Sequence, residues 1–264
     1  MFKLGWFADP VVFGKYPDEM HNLITGDRLP SFTSEQSKLL KGSYDFLGVN
    51  YYTSNYAKYT GVIGSNFYND GRYTTGAYNA TGHLIGPFGQ SSWLNVYPQG
   101  FRDLLNHVND RYNHPIIYIL ENGVSCPNEN TAEDAINDSF RMDYLYGHVM
   151  KLAEAVRFDK VNIRGYFHWS LLDNFEWADG FSSRYGLTYV NFDQNLTRTI
   201  KKSGYLYRNI IDAFDEMKIE DVLELSVDDL MTQDDYDEND DYDDYDDYDD
   251  FDEDSAFADE DEDE

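Results

Sequence analysis

A glutamate at the end of an aliphatic run is the first candidate for chemistry in this sequence. Residues 116–121 read Ile-Ile-Tyr-Ile-Leu-Glu, Pro115 precedes them and Gly123 follows soon after. The run predicts a short strand that is buried on both faces. A carboxylate at the edge of a core must be paired, hydrated or used. Glu121 is therefore either a solvated residue in a turn or a functional group.

The elements predicted around Glu121 indicate α/β packing. Apolar spacing predicts a helix over 99–112 and a longer one over 138–157. Two more buried strands are predicted at 44–53 and 161–169. In a barrel of alternating strands and helices, the carboxyl ends of the strands carry the chemistry. That rule favours a functional role for Glu121.

Other segments are less regular. Residues 1–32 contain three prolines and predict a broken helical and loop region. Residues 54–98 are rich in Gly, Asn, Tyr and Ser and predict a long loop. A short strand is predicted at 185–190. His148 lies on the apolar stripe of the long helix, where we expect a packed histidine rather than a ligand.

Two helix starts are predicted from capping residues. Thr33 with Gln36 forms a capping-box pattern for a helix over 34–41. Ser203 is the predicted cap of a last helix that ends near Phe214.

Charge is unevenly distributed along the chain. The net charge is −30, and 21 of the 50 acidic residues lie between Asp234 and Glu264, where there is no Lys or Arg. Repulsion between like charges and a lack of aliphatic residues predict disorder there. We therefore predict a folded domain over 1–217 and a disordered acidic low-complexity tail over 218–264. The charge balance argues against a nucleic-acid partner.

The sequence contains few features that indicate a cellular compartment. Cys126 is the only cysteine, so no internal disulfide is expected. No apolar run is long enough to predict a membrane span, and the first residues lack the pattern of a signal peptide. Three N-glycosylation sequons, at Asn79, Asn137 and Asn195, suggest the secretory pathway. Neither a metal nor a cofactor is expected.

Six stretches in order match motifs of one known family. They are Gly5-Trp-Phe-Ala-Asp-Pro with Tyr16-Pro, Arg28-Leu-Pro-Ser-Phe, Asp45-Phe-Leu-Gly-Val-Asn-Tyr-Tyr, Tyr97-Pro-Gln-Gly, Leu120-Glu-Asn-Gly and Trp169-Ser-Leu-Leu-Asp-Asn-Phe-Glu-Trp. Together they resemble glycoside hydrolase family 1, the retaining β-glucosidases, and in particular its plant branch. The resemblance covers residues 1–215. It implies a partial (β/α)8 TIM barrel, with about strands six to eight and their helices present.

The resemblance implies a role for each matching residue. Glu121 matches the nucleophile of the Glu-Asn-Gly motif. Tyr52 resembles the tyrosine that hydrogen-bonds this nucleophile, and Asn50 lies beside it in the sugar site. Retaining hydrolysis of a β-glucoside uses two carboxyl groups, one of which forms a covalent glycosyl-enzyme.

Aromatic residues complete the implied sugar site. Trp169 resembles the tryptophan that forms the floor under the sugar ring, and Glu176 with Trp177 resembles the pair that holds its hydroxyls. Tyr185 falls where many relatives place an aromatic residue at the pocket rim. The two tryptophans could equally be core residues, but the adjacent Glu176 favours a polar pocket.

One departure from the family pattern bears on activity. The acid/base motif Asn-Glu-Pro does not occur in the 264 residues. The first barrel strands are not found either, so we expect an inactive or nearly inactive chain and a possible missing N-terminal half as its partner. Leu120 also replaces a commoner threonine.

Two alternatives stay open. The first is a fragment of a thioglucosidase of the myrosinase type, although Trp177 after Glu176 is more typical of the O-glucosidases. The second is a non-catalytic truncated product, or an interaction protein that uses its acidic tail.

Overall fold

The structure is a computed structural model and describes residues 2–231. The stretch Asp234–Glu264, for which disorder is predicted, lies outside the described residues. The helices are α1 Leu4–Phe13, α2 Asp18–Leu23, α3 Ser34–Leu40, α4 Pro98–Arg111, α5 Ala132–Ile136, α6 Ser139–Arg157, α7 Lys202–Glu216, α8 Ile219–Val222 and α9 Val227–Leu230. The strands are β1 Leu47–Asn50, β2 Tyr56–Tyr59, β3 Tyr73–Gly76, β4 Ile117–Glu121, β5 Ile163–Tyr166, β6 Thr188–Asn191 and β7 Thr197–Ile200.

A parallel three-stranded sheet in the order β1-β4-β5 organises the fold. Helix α4 lies between β1 and β4 in the chain, and α6 lies between β4 and β5, so the connections are of the βαβ type. Leu105 and Val108 of α4 pack in one cluster with Ile117 and Ile119 of β4. The predicted α/β architecture is confirmed, with all three strands ending at the same edge of the sheet.

The two faces of the sheet differ in exposure. Ile117 and Ile119 of β4 are fully buried under the helices, whereas Leu120 on the other face is 43% exposed. Phe46 and Phe167 are exposed on that same open face. The prediction that the central strand is buried on both faces is therefore wrong for the described residues, because their helices cover one side of the sheet only.

Helix caps show one success and one error of prediction. Thr33 and Gln36 form the predicted capping box at the start of α3. Helix α7 begins at Lys202 without a side-chain cap, and Ser203 lies within it. The hydroxyl of Ser203 donates to Asp138 at 2.5 Å instead. The Ser203 hydroxyl, which we expected to cap the helix, therefore bonds to the buried Asp138 carboxylate.

The packed part of the chain extends past the predicted boundary near Met217. Helices α8 and α9 follow, and their Val222 and Leu230 are buried against α6 and α7. Residues 218–231 therefore belong to the folded part and not to a disordered tail.

Two other segments are more regular than predicted. Helix α1 is a ten-residue helix within residues 1–32. The predicted loop over 54–98 contains the antiparallel pair β2–β3, joined at Tyr56↔Gly76. The remaining small sheet, β6–β7, begins at Thr188, three residues after the predicted start. No helix among residues 2–231 has the length and apolarity needed to cross a bilayer.

Candidate active site

The ends of β1 and β4 bring Glu121 and Tyr52 together. Asn50 is paired with Glu121 in the sheet, and the backbone N–H of Tyr51 donates to the Glu121 carbonyl at 2.9 Å. Tyr52 follows directly, and its hydroxyl donates to Oε2 of Glu121 at 2.7 Å. This contact joins residues 69 positions apart in sequence. The pair predicted from the two motifs is therefore in contact, while the Asn50 side chain is exposed.

Burial and the neighbouring carboxylate keep Tyr52 protonated. Burial raises the pKa of the Tyr52 phenol, and the hydrogen bond to Glu121 and the charge of Glu121 raise it further. The phenol is thus a permanent hydrogen-bond donor near neutral pH. It fixes one oxygen of Glu121 and leaves the other oxygen free of this contact.

Asn122 anchors the strand end from behind. Its side chain is fully buried, and its amide nitrogen donates to the carbonyl oxygen of Tyr51 at 2.8 Å and to the hydroxyl of Tyr144 at 2.9 Å. Its amide oxygen accepts from Tyr166 at 2.8 Å. Asn122 therefore links β1, β4, α6 and β5 directly beneath Glu121. Sequence reasoning gave it no role beyond its place in the Glu-Asn-Gly motif.

The second half of the site is a hydrogen-bonded tryptophan and glutamate. Nε1 of Trp169 donates to Oε1 of Glu176 at 2.9 Å. The backbone N–H of Trp169 donates to the carbonyl of Asn122 at 2.9 Å, which ties the end of β5 to the end of β4. The partly buried indole and the carboxylate thus lie next to the Glu121 strand end, as predicted.

Opposing effects act on Glu176. Burial raises its pKa, the hydrogen bond from Trp169 lowers it, and the charges of Asp179 and Glu121 raise it again. Two carboxylates close enough to influence each other, one of them bound to an indole, form an acceptor set that suits a polyhydroxylated ligand. The adjacent indole offers the apolar surface that one face of a sugar ring needs.

Two residues of the predicted site lie elsewhere than expected. Tyr185 is 3% exposed, and its ring meets Tyr52 edge-on at 6.2 Å. It is a buried support beneath the site and not a residue at its rim. Trp177 is 83% exposed, and the described residues do not enclose it as a partner of Glu176.

Residues without a sequence signal also contribute. The ring of Trp93 meets Tyr52 edge-on at 5.9 Å. The hydroxyl of Ser91 accepts from Tyr185 at 3.2 Å. Both residues come from the long segment over 54–98, where no periodic pattern distinguished them.

The sequons differ in exposure. Asn137 and Asn195 are exposed, whereas Asn79 is partly buried, and its side-chain oxygen accepts from Thr81 and His83 in a turn. Glycosylation at these positions stays a prediction. No group of three or more His, Cys, Asp or Glu side chains within residues 2–231 is arranged to hold a metal ion.

Comparison with known proteins identifies the family. The profile described as Glycosyl hydrolase family 1 matches residues 1–216. Beta-glucosidase 12 of Oryza sativa subsp. indica is 45% identical over 216 residues, which are 80% of this chain and 42% of the relative. Raucaffricine-O-beta-D-glucosidase of Rauvolfia serpentina is 44% identical over 79% of this chain and 39% of the relative.

A solved structure agrees with these relatives. A GH1 beta-glucosidase from the fungus Humicola insolens, in complex with glucose, is 46% identical with a TM-score of 0.77. The match covers 82% of this chain and 45% of that one. The chain thus spans less than half the length of these relatives. With its mixed α/β fold and the matched residues 1–216, it belongs to glycosyl hydrolase family 1, the family of TIM-barrel β-glucosidases.

Proposed function

We propose that this chain supplies the nucleophile side of a retaining β-glucosidase site. The observation that carries the proposal is the hydrogen bond from Tyr52 to Glu121 at the end of β4. Trp169 and Glu176 lie beside it as an aromatic floor and a hydroxyl acceptor. The names of the relatives, β-glucosidases and a raucaffricine glucosidase, support a β-O-glucoside as the substrate class.

The reaction proceeds in two steps. The Glu121 carboxylate attacks the anomeric carbon, the bond to the leaving oxygen breaks with its electron pair, and a covalent glycosyl-enzyme forms. Water then attacks the same carbon, the bond to Glu121 breaks with its electron pair, and one proton of the water passes to solvent, so the two inversions retain the configuration. Tyr52 holds one carboxylate oxygen, which orients the other oxygen for attack. Glu176 accepts from sugar hydroxyls.

Protonation of the leaving oxygen is the step for which this chain has no identified residue. Asn-Glu-Pro, the family's acid/base motif, does not occur in its 264 residues. An alkoxide leaves slowly without a proton, whereas a dinitrophenolate is stable and needs none. We therefore expect turnover of ordinary glucosides at or near background, and attack by Glu121 only on glucosides with activated leaving groups.

The open face of the sheet fits the same proposal. Leu120, Phe46 and Phe167 are exposed on it, and neither β1 nor β5 has a second strand neighbour among the described residues. We propose that the part of the fold that precedes this region in the longer relatives covers this face and brings the acid/base residue. Completion of the barrel would remove both open edges.

Covalent trapping tests the nucleophile. We expect 2,4-dinitrophenyl 2-deoxy-2-fluoro-β-glucoside to add one fluoroglucosyl group to the full chain, and peptide mass mapping to place it on Glu121. The matched control is Glu121→Gln, which keeps the shape and removes the nucleophilic carboxylate. Label that persists in the control, or that maps to another residue, sinks the proposal.

A second experiment tests whether the chain can protonate the leaving oxygen of a glucoside. The full chain is incubated with methyl β-glucoside, whose methoxide leaving group needs a proton, and release of glucose is compared with the same reaction in Glu121→Gln. We expect no difference between the two. Turnover that disappears in Glu121→Gln would show that the chain provides its own acid and that our expectation of inactivity is wrong.

The thioglucosidase alternative differs in its leaving group. A thiolate needs less proton assistance than an alkoxide, so a chain without the acid could still cleave a thioglucoside. Release of thiophenolate from an aryl β-thioglucoside, without cleavage of the matching O-glucoside, would favour that alternative.

A further inference from the structure

A group of buried hydroxyls lies behind the turn that carries Glu176. We call Ser91, Ser125 and Ser183 the serine cluster. All three are at most 5% exposed, and they come from three separate segments of the chain. The Ser125 hydroxyl donates to the hydroxyl of Ser91 at 3.1 Å, and the backbone N–H of Ser91 donates back to Ser125 at 3.0 Å.

Asp179 is the acceptor at the end of this chain of hydrogen bonds. Its Oδ2 accepts from Ser91 at 3.2 Å and from Ser183 at 2.9 Å. Ser91 in turn accepts from the Tyr185 hydroxyl at 3.2 Å. Because a carboxylate can only accept, it sets the direction of the hydroxyl donors that converge on it.

The same residue belongs to the Glu176 turn. The backbone N–H of Asp179 donates to the Glu176 carbonyl at 2.9 Å, and the Glu176 N–H donates to Gly180 at 2.7 Å. Trp177, between them, has a positive φ of 46°, which an unsupported chain rarely adopts. The turn is therefore held at two points, by Trp169 through the Glu176 side chain and by the serine cluster through Asp179.

We infer that Asp179 is a positioning residue for Glu176. It anchors the turn to the buried serine cluster, and its charge acts on the Glu176 carboxyl three residues away. The part of the inference that concerns sugar binding rests on the proposed function. Asp179 and the serine cluster lie outside the six stretches that match the family, whereas Glu176 and Trp169 lie within the last of them.

The electrostatic part follows from the groups around Glu176. Asp179 on the same turn and Glu121 at the end of β4 are the carboxylates that raise its pKa in addition to burial, and Trp169 lowers it. Tyr52 and Tyr185 face Glu176 as neutral phenols whose pKa values are raised. Removal of the Asp179 charge should therefore make Glu176 easier to ionise.

A fluorescence titration of the full chain measures this effect without any sugar. Trp169 donates to Glu176, so protonation of Glu176 changes tryptophan emission, and Glu176→Gln identifies the transition by abolishing it. In Asp179→Asn we expect the midpoint to move to lower pH by about half a unit, as for the loss of one partly screened charge. Asp179→Glu keeps the charge and should retain a midpoint near that of the wild type.

Controls separate this effect from unfolding and from general charge. Asp193→Asn removes an exposed charge from the β6–β7 turn and should leave the midpoint unchanged. Asp179→Ser is a second neutral variant that should shift the midpoint in the same direction as Asp179→Asn. Far-UV circular dichroism checks that each variant is folded. An unchanged midpoint in both neutral variants, or a wild-type transition that survives Glu176→Gln, overturns the inference.

The trapping reaction adds a second measurement. In Asp179→Asn we expect the fluoroglucoside concentration for half-maximal labelling to rise about fivefold, with a smaller change in the maximal rate, because Glu176 acts in sugar binding. If the wild type is not labelled, the proposed function fails while the midpoint shift still stands. A shifted midpoint together with unchanged labelling would remove the positioning role.

Discussion

Gly123 and Trp169 approach each other so closely that no side chain fits between them. A Cβ atom on Gly123 would stand 1.7 Å from the carbonyl oxygen of Trp169. Gly123 lies two residues after Glu121, and Trp169 bonds through its indole to Glu176. The glycine that closes the central strand therefore sets the distance between the nucleophile side and the aromatic side of the site.

Gly123→Ala tests this spacing. The added methyl must push the Trp169 backbone away, so we expect the free energy of unfolding to fall by about 3 kcal/mol, as for overpacking against rigid atoms. Urea denaturation followed by circular dichroism measures the loss. Gly76→Ala in β3 is the matched control, since nothing lies within 4 Å of its added Cβ. A Gly123→Ala variant as stable as the control would contradict the argument.

Tyr52→Phe tests the hydrogen bond to Glu121. The substitution removes only the hydroxyl that donates at 2.7 Å. A hydrogen bond to a charged group contributes about 1.5–3 kcal/mol, so we expect the rate of Glu121 labelling to fall at least tenfold. Tyr68→Phe, at a residue that is 90% exposed in the long segment, should label at the wild-type rate. Equal rates in the two variants would show that Tyr52 does not orient the nucleophile.

Much of the site could be predicted because it lies at strand ends. The aliphatic run before Glu121 predicts a strand, whereas the places of Tyr52 and Trp169 beside Glu121 were implied by the family resemblance. The structure brings Tyr52 beside Glu121 through the register of β1 and β4, and Trp169 follows β5, which pairs with the other side of β4. Local sequence was sufficient to place Glu121 at a strand end, and the family motifs supplied its partners.

Positions set by long-range packing could not be predicted. Tyr185 was expected at a pocket rim, but its ring is buried and its hydroxyl donates to Ser91, which is 94 residues away in sequence. Leu120 was expected to be covered, yet it is 43% exposed, because the helices among the described residues pack on the other face of the sheet. No pattern within a short window carries such information, because the partners lie far apart in the chain.

The contacts of Asp138 are also long-range and could not be predicted from local sequence, and they give a further prediction. It is fully buried, pairs with Arg141 and accepts from both the backbone N–H and the hydroxyl of Ser203. Asp138→Ala leaves the Arg141 charge short of a partner, so we expect unfolding free energy to fall by about 3–5 kcal/mol. The control is Asp143→Ala on the exposed side of α6. Urea midpoints that coincide for the two variants would contradict a structural role for Asp138.

His148, which is buried, and His168, whose ring nitrogens are buried, should make stability fall in mild acid. Burial lowers the pKa of His148 to about 4 and that of His168 to about 3. His148 stacks on Tyr144 and donates from Nδ1 to its carbonyl, whereas the positive charges of Arg141 and Lys201 add to the effect at His168. Both rings therefore stay neutral in the folded chain where an unfolded histidine is already protonated.

The direction in which stability changes with pH follows from the number of protons that each state binds. Below the unfolded pKa of about 6.5 the unfolded state binds more protons than the folded state, so stability falls as the pH falls from 7 toward 4. Each histidine should account for about 2 kcal/mol of the difference between pH 7 and pH 5, at 1.36 kcal/mol per pKa unit. Urea denaturation at both pH values measures it in the wild type, His148→Gln and His168→Gln.

The difference between the two pH values isolates the histidines from any general loss of stability in the variants. Each Gln variant should lose about half of the histidine contribution, whereas His107→Gln on the exposed side of α4 should keep the wild-type difference. Carboxylates titrate mostly below pH 5 and contribute equally to all four proteins. If both buried-site variants retain the full wild-type difference, His148 and His168 are protonated in the folded chain, and the interior around α6 is wetter than its packing indicates.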